Sequence, residues 1–201
     1  ITMIGAMQRF TEPYNQFSEH DEKTLTDLVN KITCGDFCEL GCWTGHSTLI
    51  IANRAKEINT RVTVIDNFRG NEGTPIFDYA IKNNVKEIFE DNMLEENLFD
   101  VINLIEMDSL DAHKKVNNKS LSFLFIDAGH TYKNVKNDLI NFIPKLRIGG
   151  LISGHDYESD TYDDEYINVD YVNGKHHGVI KAVKEILGKV EHDGRMWWKQ
   201  L

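Results

Sequence analysis

The sequence predicts an α/β protein with one mostly parallel sheet of seven strands and an antiparallel hairpin at the C-terminal end. Apolar segments of strand length alternate with segments of helical periodicity along most of the 201 residues, which is typical of parallel sheets with right-handed crossovers. Near the C-terminus, two short segments flank Asp193-Gly194, a dipeptide typical of hairpin turns. Because no linker-like stretch divides the chain, we predict one domain over residues 36–201, preceded by a helical segment, residues 1–35, that packs on it.

The individual elements follow from their hydrophobic patterns. We predict parallel strands over residues 37–40, 61–66, 101–105, 121–126 and 151–153. Apolar residues at helical spacing predict helices over residues 25–32, 47–58, 77–88, 132–142 and 179–187, and a short helix capped by Asp108-Ser109. The hairpin strands are expected over residues 189–192 and 195–198. The apolar run of residues 121–126 has no polar alternation, as expected for a central strand that is covered on both faces.

The segment of residues 37–48 carries the strongest functional signal. Its short apolar strand contains Glu39, a turn with Gly41 and Gly45 follows, and a helical pattern begins at Ser47. This strand–turn–helix arrangement forms nucleotide-sized pockets in α/β sheets. The spacing Glu-x-Gly-x-x-x-Gly lacks the third glycine of the dinucleotide fingerprint, and an acid at the strand end suits a positively charged or hydroxyl-rich ligand better than a pyrophosphate. The alternative is a turn that only reverses the chain.

Acidic residues end or follow all five predicted parallel strands. They are Glu39, Asp66, Asp108, Asp127 and Asp156. Because ligands in open α/β sheets bind at the carboxyl ends of the strands, we expect these side chains to face one crevice. Helix capping would explain one or two of them.

Composition and charge exclude some classes of function. The formal net charge is −10, and no run of Lys or Arg is present, so we expect no nucleic-acid partner. No apolar stretch reaches the ~18–20 residues of a membrane span, so we expect no membrane insertion. Cys34, Cys38 and Cys42 are expected to be buried or turn thiols rather than zinc ligands or disulfides, which fits a reducing cytoplasm. The oligomeric state cannot be derived from these patterns.

Several segments together resemble the class I S-adenosylmethionine (SAM) dependent methyltransferases, in particular a bacterial and phage branch that methylates sugars or small molecules. The glycine turn is similar to their motif I. Residues 64–70 (VIDNFRG), 126–132 (IDAGHTY), 149–157 (GGLISGHDY) and 178–183 (GVIKAV), followed by Trp197-Trp198, are similar to further segments of that branch in the same order. The resemblance covers residues 36–201 and implies a single-domain Rossmann-like methyltransferase fold.

The resemblance also implies where SAM binds. Glu39 would hold the methionine ammonium group directly or through water, and Asp66 would accept hydrogen bonds from the two ribose hydroxyls. Asp108 and Ser109 would lie beside the adenine. The implied cofactor-binding set is Glu39, Gly41, Trp43, Thr44, Gly45, Ser47, Asp66, Asn67, Asp108, Ser109 and Asp127.

The resemblance also implies a reaction centre at Asp127, His155 and Asp156, and His130 is a further candidate for the general base. The candidate catalytic residues are Asp127, His130 and His155, and the candidate metal ligands are Asp127, His155 and Asp156. Three alternatives remain open. In the first, Asp127 and Asp156 bind Mg²⁺ or Ca²⁺ together with water. In the second, Asp127, His155 and Asp156 together bind a transition metal such as Mn²⁺ or Zn²⁺. In the third, no metal binds, and His155 or His130 is the general base.

The predicted function is SAM-dependent O-methylation of a hydroxyl on a sugar, polysaccharide or small molecule. The acidic loop of residues 157–177 would be a lid that selects the acceptor and disfavours polyanions. We expect His176 and His177 in this loop to be exposed to solvent, and Trp197 and Trp198 to pack in the sheet. The alternatives are a nicotinamide-dependent oxidoreductase and a non-catalytic SAM-binding module.

Overall fold

The computed structural model describes residues 17–201. Their strands are β1 (Asp36–Leu40), β2 (Val62–Asp66), β3 (Ile102–Glu106), β4 (Leu121–Ile126), β5 (Leu146–Gly154), β6 (Glu191–Asp193) and β7 (Met196–Gln200). The α-helices are α1 (Glu19–Asn30), α2 (His46–Glu57), α3 (Pro75–Lys82), α4 (Val85–Glu95), α5 (Ser109–Ala112), α6 (Tyr132–Phe142) and α7 (His177–Leu187). Single 3₁₀ turns cover Phe99–Val101, His113–Lys115 and Ile143–Lys145. Within residues 17–201, every helix is too short or too polar to cross a membrane.

The strands form one sheet in the order β3-β2-β1-β4-β5-β7-β6. The first five strands in this order run parallel, and β7 pairs antiparallel with both β5 and β6. The prediction of a mostly parallel seven-stranded sheet with an antiparallel C-terminal hairpin is therefore confirmed. The direction in which successive strands are added to the sheet reverses between β1 and β4. The carboxyl ends of these two strands therefore form a topological switch point, which is the usual location of a ligand crevice.

The hydrophobic core lies on both faces of the sheet. Every residue of β4 is buried, as predicted for a central strand. Phe123 and Phe125 pack on one face with α1, α2 and α4, whereas Leu124 and Ile126 pack on the other face with α6 and α7. Two covered faces hold the carboxyl ends of the central strands rigidly, so that the residues following them have fixed positions.

Helix α1 packs against α2 and connects the N-terminal segment to the domain. It begins with a capping box, because Ser18 accepts a hydrogen bond from the Asp21 amide and the Asp21 carboxylate accepts one from the Ser18 amide. Leu25, Leu28 and Val29 are buried, as their spacing predicts. Residues 1–16 lie outside the described part, and the domain boundary at residue 36 stays a prediction.

The single helix predicted over residues 77–88 is wrong. The structure has two helices, α3 and α4, separated by Asn83 and Asn84. Asn83 is extended (φ −132°, ψ 146°), and the Asn84 side chain caps α4 by accepting a hydrogen bond from the Glu87 amide at 3.3 Å. The apolar periodicity continues across the break, which explains why it suggested one helix.

Two other boundaries near the C-terminus differ from the prediction. Strand β5 begins at Leu146 rather than Leu151, so Gly149-Gly150 lies inside the strand, next to an irregularity in its register with β4. In the hairpin, Asp193 pairs with Met196, so the two turn residues are Gly194, with φ 59°, and Arg195. This shift by one residue matters because it places Arg195 at the turn.

Candidate active site

The turn after β1 depends on glycine at two positions. Gly41 has φ 81° and Gly45 has φ 101°, a region that disfavours other residues. A Cβ atom on Gly41 would collide with the backbone carbonyl of Asp127. The Asp127 amide also donates a hydrogen bond to the Leu40 carbonyl at 2.8 Å. The turns after β1 and β4 are thus in direct contact, which requires glycine at position 41.

Asp66, at the end of β2, holds the same turn from the other side. Its Oδ2 atom accepts hydrogen bonds from the amides of Cys42 (2.8 Å) and Trp43 (3.0 Å), and its Oδ1 atom accepts one from the Phe68 amide (2.7 Å). Each carboxylate oxygen has two lone pairs, so one acceptor position, on Oδ1, remains for a hydroxyl group of a ligand.

Glu39 is completely buried beneath the turn. Both of its oxygens accept hydroxyl hydrogen bonds at 2.5 Å, Oε1 from Ser47 and Oε2 from Thr48. Burial raises the pKa of Glu39 to about 8, although the two hydroxyl hydrogen bonds oppose the shift. Burial makes this carboxyl group costly to ionise, and a cation that binds beside it would favour the ionised form.

The raised pKa predicts a pH-dependent stability. Between the unfolded value of 4.5 and the folded value of about 8, the folded chain binds one more proton at Glu39 than the unfolded chain, so the free energy of unfolding falls as pH rises through this window. We expect Glu39→Gln to lose less stability than wild type from pH 5 to pH 8, measured by urea unfolding without SAM. Glu72→Gln, at an exposed position, is the control, and parallel curves for wild type and Glu39→Gln would contradict the prediction.

The other predicted cofactor residues surround this turn or follow the next strands. Trp43 packs against Tyr79 with ring centroids 5.9 Å apart, and the Thr44 carbonyl accepts a hydrogen bond from Asn92. The Asn67 side chain accepts one from the Arg69 amide. These contacts hold the rim in shape without any ligand.

Asp108 and Ser109 form the N-terminus of α5, as predicted. Asp108 caps the helix by accepting a hydrogen bond from the Leu110 amide at 2.9 Å. The Ser109 hydroxyl donates to Asp138 Oδ1 at 2.5 Å. Burial raises the pKa of Asp138 to about 7. These contacts fix the start of α5 after the edge strand β3.

Asp156, which follows β5, is the centre of a buried charge cluster. Its Oδ1 atom accepts a hydrogen bond from the Arg195 guanidinium and lies 3.2 Å from His155 Nδ1. Its Oδ2 atom lies 3.0 Å from His130 Nε2. Asp127 completes the cluster, at 3.7 Å from His130 Nε2 and 3.9 Å from His155 Nδ1. The structure therefore brings together all four residues predicted for the reaction centre.

The backbone at Asp156 is strained. It has φ 66°, a conformation that costs a residue other than glycine about 1–3 kcal/mol and that occurs often at functional sites. The carboxylate is buried and is aimed at the cluster in this conformation.

The electrostatic field of the cluster favours protons on its imidazoles. Burial alone would lower the pKa of the two histidines, but the carboxylates of Asp156 and Asp127 raise it to about 10 for His155 and well above its ordinary value for His130. Burial alone would raise the pKa of Asp156, but His130 and His155 hold it well below its usual range. The neighbouring carboxylates therefore make each imidazole a stronger proton acceptor than an ordinary histidine.

His130 and His155 differ in access to the surface. The side chain of His155 is 1% exposed, with the Phe17 ring at 4.9 Å from its own and its Nε2 atom 3.3 Å from Asp21 Oδ2. The side chain of His130 is 16% exposed. A ligand outside the cluster can therefore reach His130 more easily than His155.

Several cluster residues were missed by the sequence analysis. Asp21 arrives from α1 and Arg195 from the hairpin turn, whereas Glu158, Asp170 and His176 come from the loop of residues 157–177. Asp21 carries only the signal of a helix cap, and the loop residues show no periodicity. No local pattern indicates which polar residues of the loop face inward.

The expectation that His176 and His177 are exposed is wrong, because both are buried. His176 Nδ1 lies 2.6 Å from Glu158 Oε1, and His177 Nδ1 accepts a hydrogen bond from the Asp163 amide at 2.8 Å. Carboxylates and backbone amides thus replace water around the two rings. Trp197 is buried as predicted, and its Nε1 atom donates to the His155 carbonyl.

The expectation of buried or turn thiols holds for Cys38 and Cys42. Cys38 and Cys42 are buried free thiols, and Cys34 is an exposed free thiol. Burial raises the pKa of both buried thiols well above the ordinary value, so they are unreactive. A cytoplasmic location stays a prediction.

The predicted metal ligands fit a transition-metal ion. The candidate ligand atoms of Asp127, His155 and Asp156 lie within 4.8 Å of one another. An imidazole together with two carboxylates suits Mn²⁺ or Zn²⁺ better than Mg²⁺. A bound ion would have to replace the proton that the field now favours on His155.

Comparisons with known proteins agree with this geometry. The family model described as "Methyltransferase domain" matches residues 38–157, which contain the glycine turn, Asp66, Asp127 and Asp156. No curated protein sequence matches the chain.

Among solved structures, the chain is similar to an O-methyltransferase from Bacillus cereus in complex with SAH (18% identity, TM-score 0.67), covering 98% of this chain and 90% of that one. It is also similar to TomG, an O-methyltransferase from Streptomyces achromogenes in complex with SAM (14% identity, TM-score 0.68), covering 97% of this chain and 86% of that one. A third similar structure is CalS11, a TDP-rhamnose 3'-O-methyltransferase of calicheamicin biosynthesis (14% identity, TM-score 0.58), covering 98% of this chain and 93% of that one. At these identities, the likeness establishes the shared fold.

Proposed function

The chain belongs to the methyltransferase domain family and is a SAM-dependent methyltransferase with the class I fold; we propose that it methylates a hydroxyl group of a sugar, polysaccharide or small molecule. The observation that supports this most is the position of His130 between Asp127 and Asp156, beside the glycine turn. The family match favours methyl transfer over the nicotinamide-dependent alternative.

In the proposed complex, SAM lies over the turn between β1 and α2. Glu39 neutralises the ammonium group of the methionine directly or through water, because a cation beside this buried carboxyl group favours its ionised form. Asp66 accepts a hydrogen bond from a ribose hydroxyl with the remaining lone pair of Oδ1. Trp43, Asn67, Asp108 and Ser109 form the rim beside the adenine.

His130 acts as the general base in this proposal. The acceptor oxygen attacks the methyl carbon, the bond between that carbon and sulfur breaks, and the hydroxyl proton passes to His130. The products are a methyl ether and S-adenosylhomocysteine (SAH). Asp127 and Asp156 stabilise the imidazolium that forms. His155, enclosed by Phe17 and Asp21, has less access to an acceptor and orients the carboxylates instead.

Asp127, His155 and Asp156 would hold a divalent ion if the enzyme uses one. Such an ion supplies Lewis-acid polarisation of the acceptor hydroxyl. The proximity of the three side chains and the strained backbone of Asp156 support this part of the proposal.

The acceptor is proposed to enter beneath the loop of residues 157–177. Arg195 and His130 bind this loop through Glu158 and Asp170. Exposed acids on the loop, among them Asp163, Asp164 and Glu165, disfavour a polyanionic acceptor. CalS11 acts on a nucleotide-linked sugar according to its name, which supports testing sugar hydroxyls first.

An acceptor screen tests the proposal. The purified chain is incubated with SAM and panels of monosaccharides, nucleotide sugars, polysaccharides and phenols, with EDTA or Mn²⁺, and SAH release is measured together with the product mass. We expect one hydroxyl class to gain a methyl group. A chain that binds SAM and methylates no compound in any panel would favour the non-catalytic module.

A further inference from the structure

A second group of metal-ligating side chains lies beside the first, where the loop of residues 157–177 contacts the turn before α6. His130 Nδ1 lies 3.1 Å from Asp170 Oδ1, and His176 Nε2 lies 4.0 Å from the same oxygen. The two imidazole rings are 4.6 Å apart between centroids. One ligand atom from each of the three residues lies within 4.8 Å of the others.

The second nitrogen of each imidazole is held by a carboxylate. His176 Nδ1 lies 2.6 Å from Glu158 Oε1, and His130 Nε2 lies 3.0 Å from Asp156 Oδ2. A carboxylate at one ring nitrogen keeps the proton there and leaves a lone pair on the other, as in the carboxylate–histidine pairs of metal sites. Both remaining nitrogens are directed at Asp170.

The contacts of Asp170 call for either a proton or a metal ion between its carboxylate and His130 Nδ1. The Asn71 amide nitrogen lies 3.2 Å from His130 Nδ1, and an amide donor there is consistent with a lone pair on that nitrogen. A lone pair and a carboxylate oxygen at 3.1 Å repel each other unless a proton or a metal ion lies between them. The 4.0 Å between His176 and Asp170 is too long for a hydrogen bond. It resembles the spacing of about 3–4 Å between two ligands of one ion with bonds of about 2.1 Å.

We propose that His130, Asp170 and His176 bind a transition-metal dication such as Zn²⁺, at a site separate from Asp127, His155 and Asp156. Two imidazoles and one carboxylate suit such an ion and disfavour Mg²⁺. Three protein ligands leave a coordination position for water. The ion links the acceptor loop, through Asp170 and His176, to the turn that carries His130.

Occupancy of this site removes His130 from proton transfer. With the ion on Nδ1 and the proton of Nε2 directed at Asp156, the ring has no lone pair for an acceptor proton. This consequence rests on the proposed function, and it makes Zn²⁺ an inhibitor of methyl transfer. The binding of the ion itself does not depend on the reaction.

The test is a Co²⁺ titration of the purified, metal-free chain, followed by visible absorption. We expect wild type and Asp127→Asn to develop the intense band of protein-bound Co²⁺. We expect Asp170→Asn, which preserves the size of the side chain, to bind at least about tenfold more weakly. Asp164→Asn, in the same loop but 72% exposed, is the matched control and should titrate like wild type.

His176→Gln provides a second ligand variant, and thermal melting with far-UV circular dichroism verifies that each variant is folded. The proposal is wrong if Asp170→Asn and His176→Gln titrate like wild type, or if only Asp127→Asn loses the band. Calorimetry with SAM is run in parallel. Normal Co²⁺ binding without SAM binding would therefore overturn the proposed function and leave the metal site supported.

Discussion

Replacing Asp66 with Ala is expected to weaken SAM binding by at least about tenfold. The ribose hydrogen bond proposed for this carboxylate is charge-assisted, and about 1.5 kcal/mol corresponds to that factor. The substitution also removes the acceptor for the Cys42 and Trp43 amides, which shape the turn. Isothermal titration calorimetry with SAM and with SAH measures the loss.

Two further variants make the Asp66 result interpretable. Asp66→Asn keeps one oxygen acceptor and should lose less affinity than Asp66→Ala. Asp91→Asn, at an exposed position on α4, should bind SAM like wild type. If folded Asp66→Ala binds SAM within about threefold of wild type, the ribose does not contact this carboxylate and the cofactor lies elsewhere along the strand ends.

Replacing His130 with Ala is expected to lower kcat by about 10²–10⁴-fold, the usual contribution of a general base, with little change in SAM affinity. The imidazole contacts the carboxylates of Asp127 and Asp156 and is not one of the proposed cofactor contacts, so those contacts remain. The measurement uses the acceptor found in the screen, with SAH release for kcat and calorimetry for the SAM dissociation constant.

His192→Ala is the matched control for His130→Ala. His192 is a partly exposed histidine that contacts the acceptor loop through Asp160 at 3.4 Å, so its removal also alters a contact with the loop. We expect kcat of this variant to stay near the wild-type value. An unchanged kcat in His130→Ala would show that another group, or the solvent, accepts the proton.

The fold could be predicted from the sequence because its signals are local. A few consecutive residues are enough to indicate each of three features: the buried strand β4, from its uninterrupted apolar run, the glycine turn after β1, and the C-terminal hairpin, from its Asp-Gly pair. The acids at the strand ends converge because parallel strands end at one edge of the sheet. Asp127, His130, His155 and Asp156 all follow the ends of β4 or β5, so their proximity could be predicted from the sequence.

The remaining site residues could not be predicted because their positions depend on tertiary contacts. Asp21 and Arg195 reach the cluster from opposite ends of the described chain, and His176 lies in a polar loop without periodicity. The break between α3 and α4 did have a local signal, since Asn84 followed three residues later by Glu87 resembles a capping box. The continuing apolar spacing outweighed it.

The position of β7 between β5 and β6 affects the folding of the chain during its synthesis on the ribosome. Synthesis proceeds from the N-terminus, so β5 leaves the ribosome long before its neighbour β7 and has an unpaired edge during that interval. Such edges promote association between chains. Over the same interval Asp156 lacks the guanidinium of Arg195, because both the strand and the arginine arrive with the hairpin. The β6–β7 hairpin thus covers the edge of β5 and brings the guanidinium to Asp156 in one step, and a nascent chain that does not yet contain the hairpin exposes an unpaired strand edge beside a carboxylate that lacks its arginine partner.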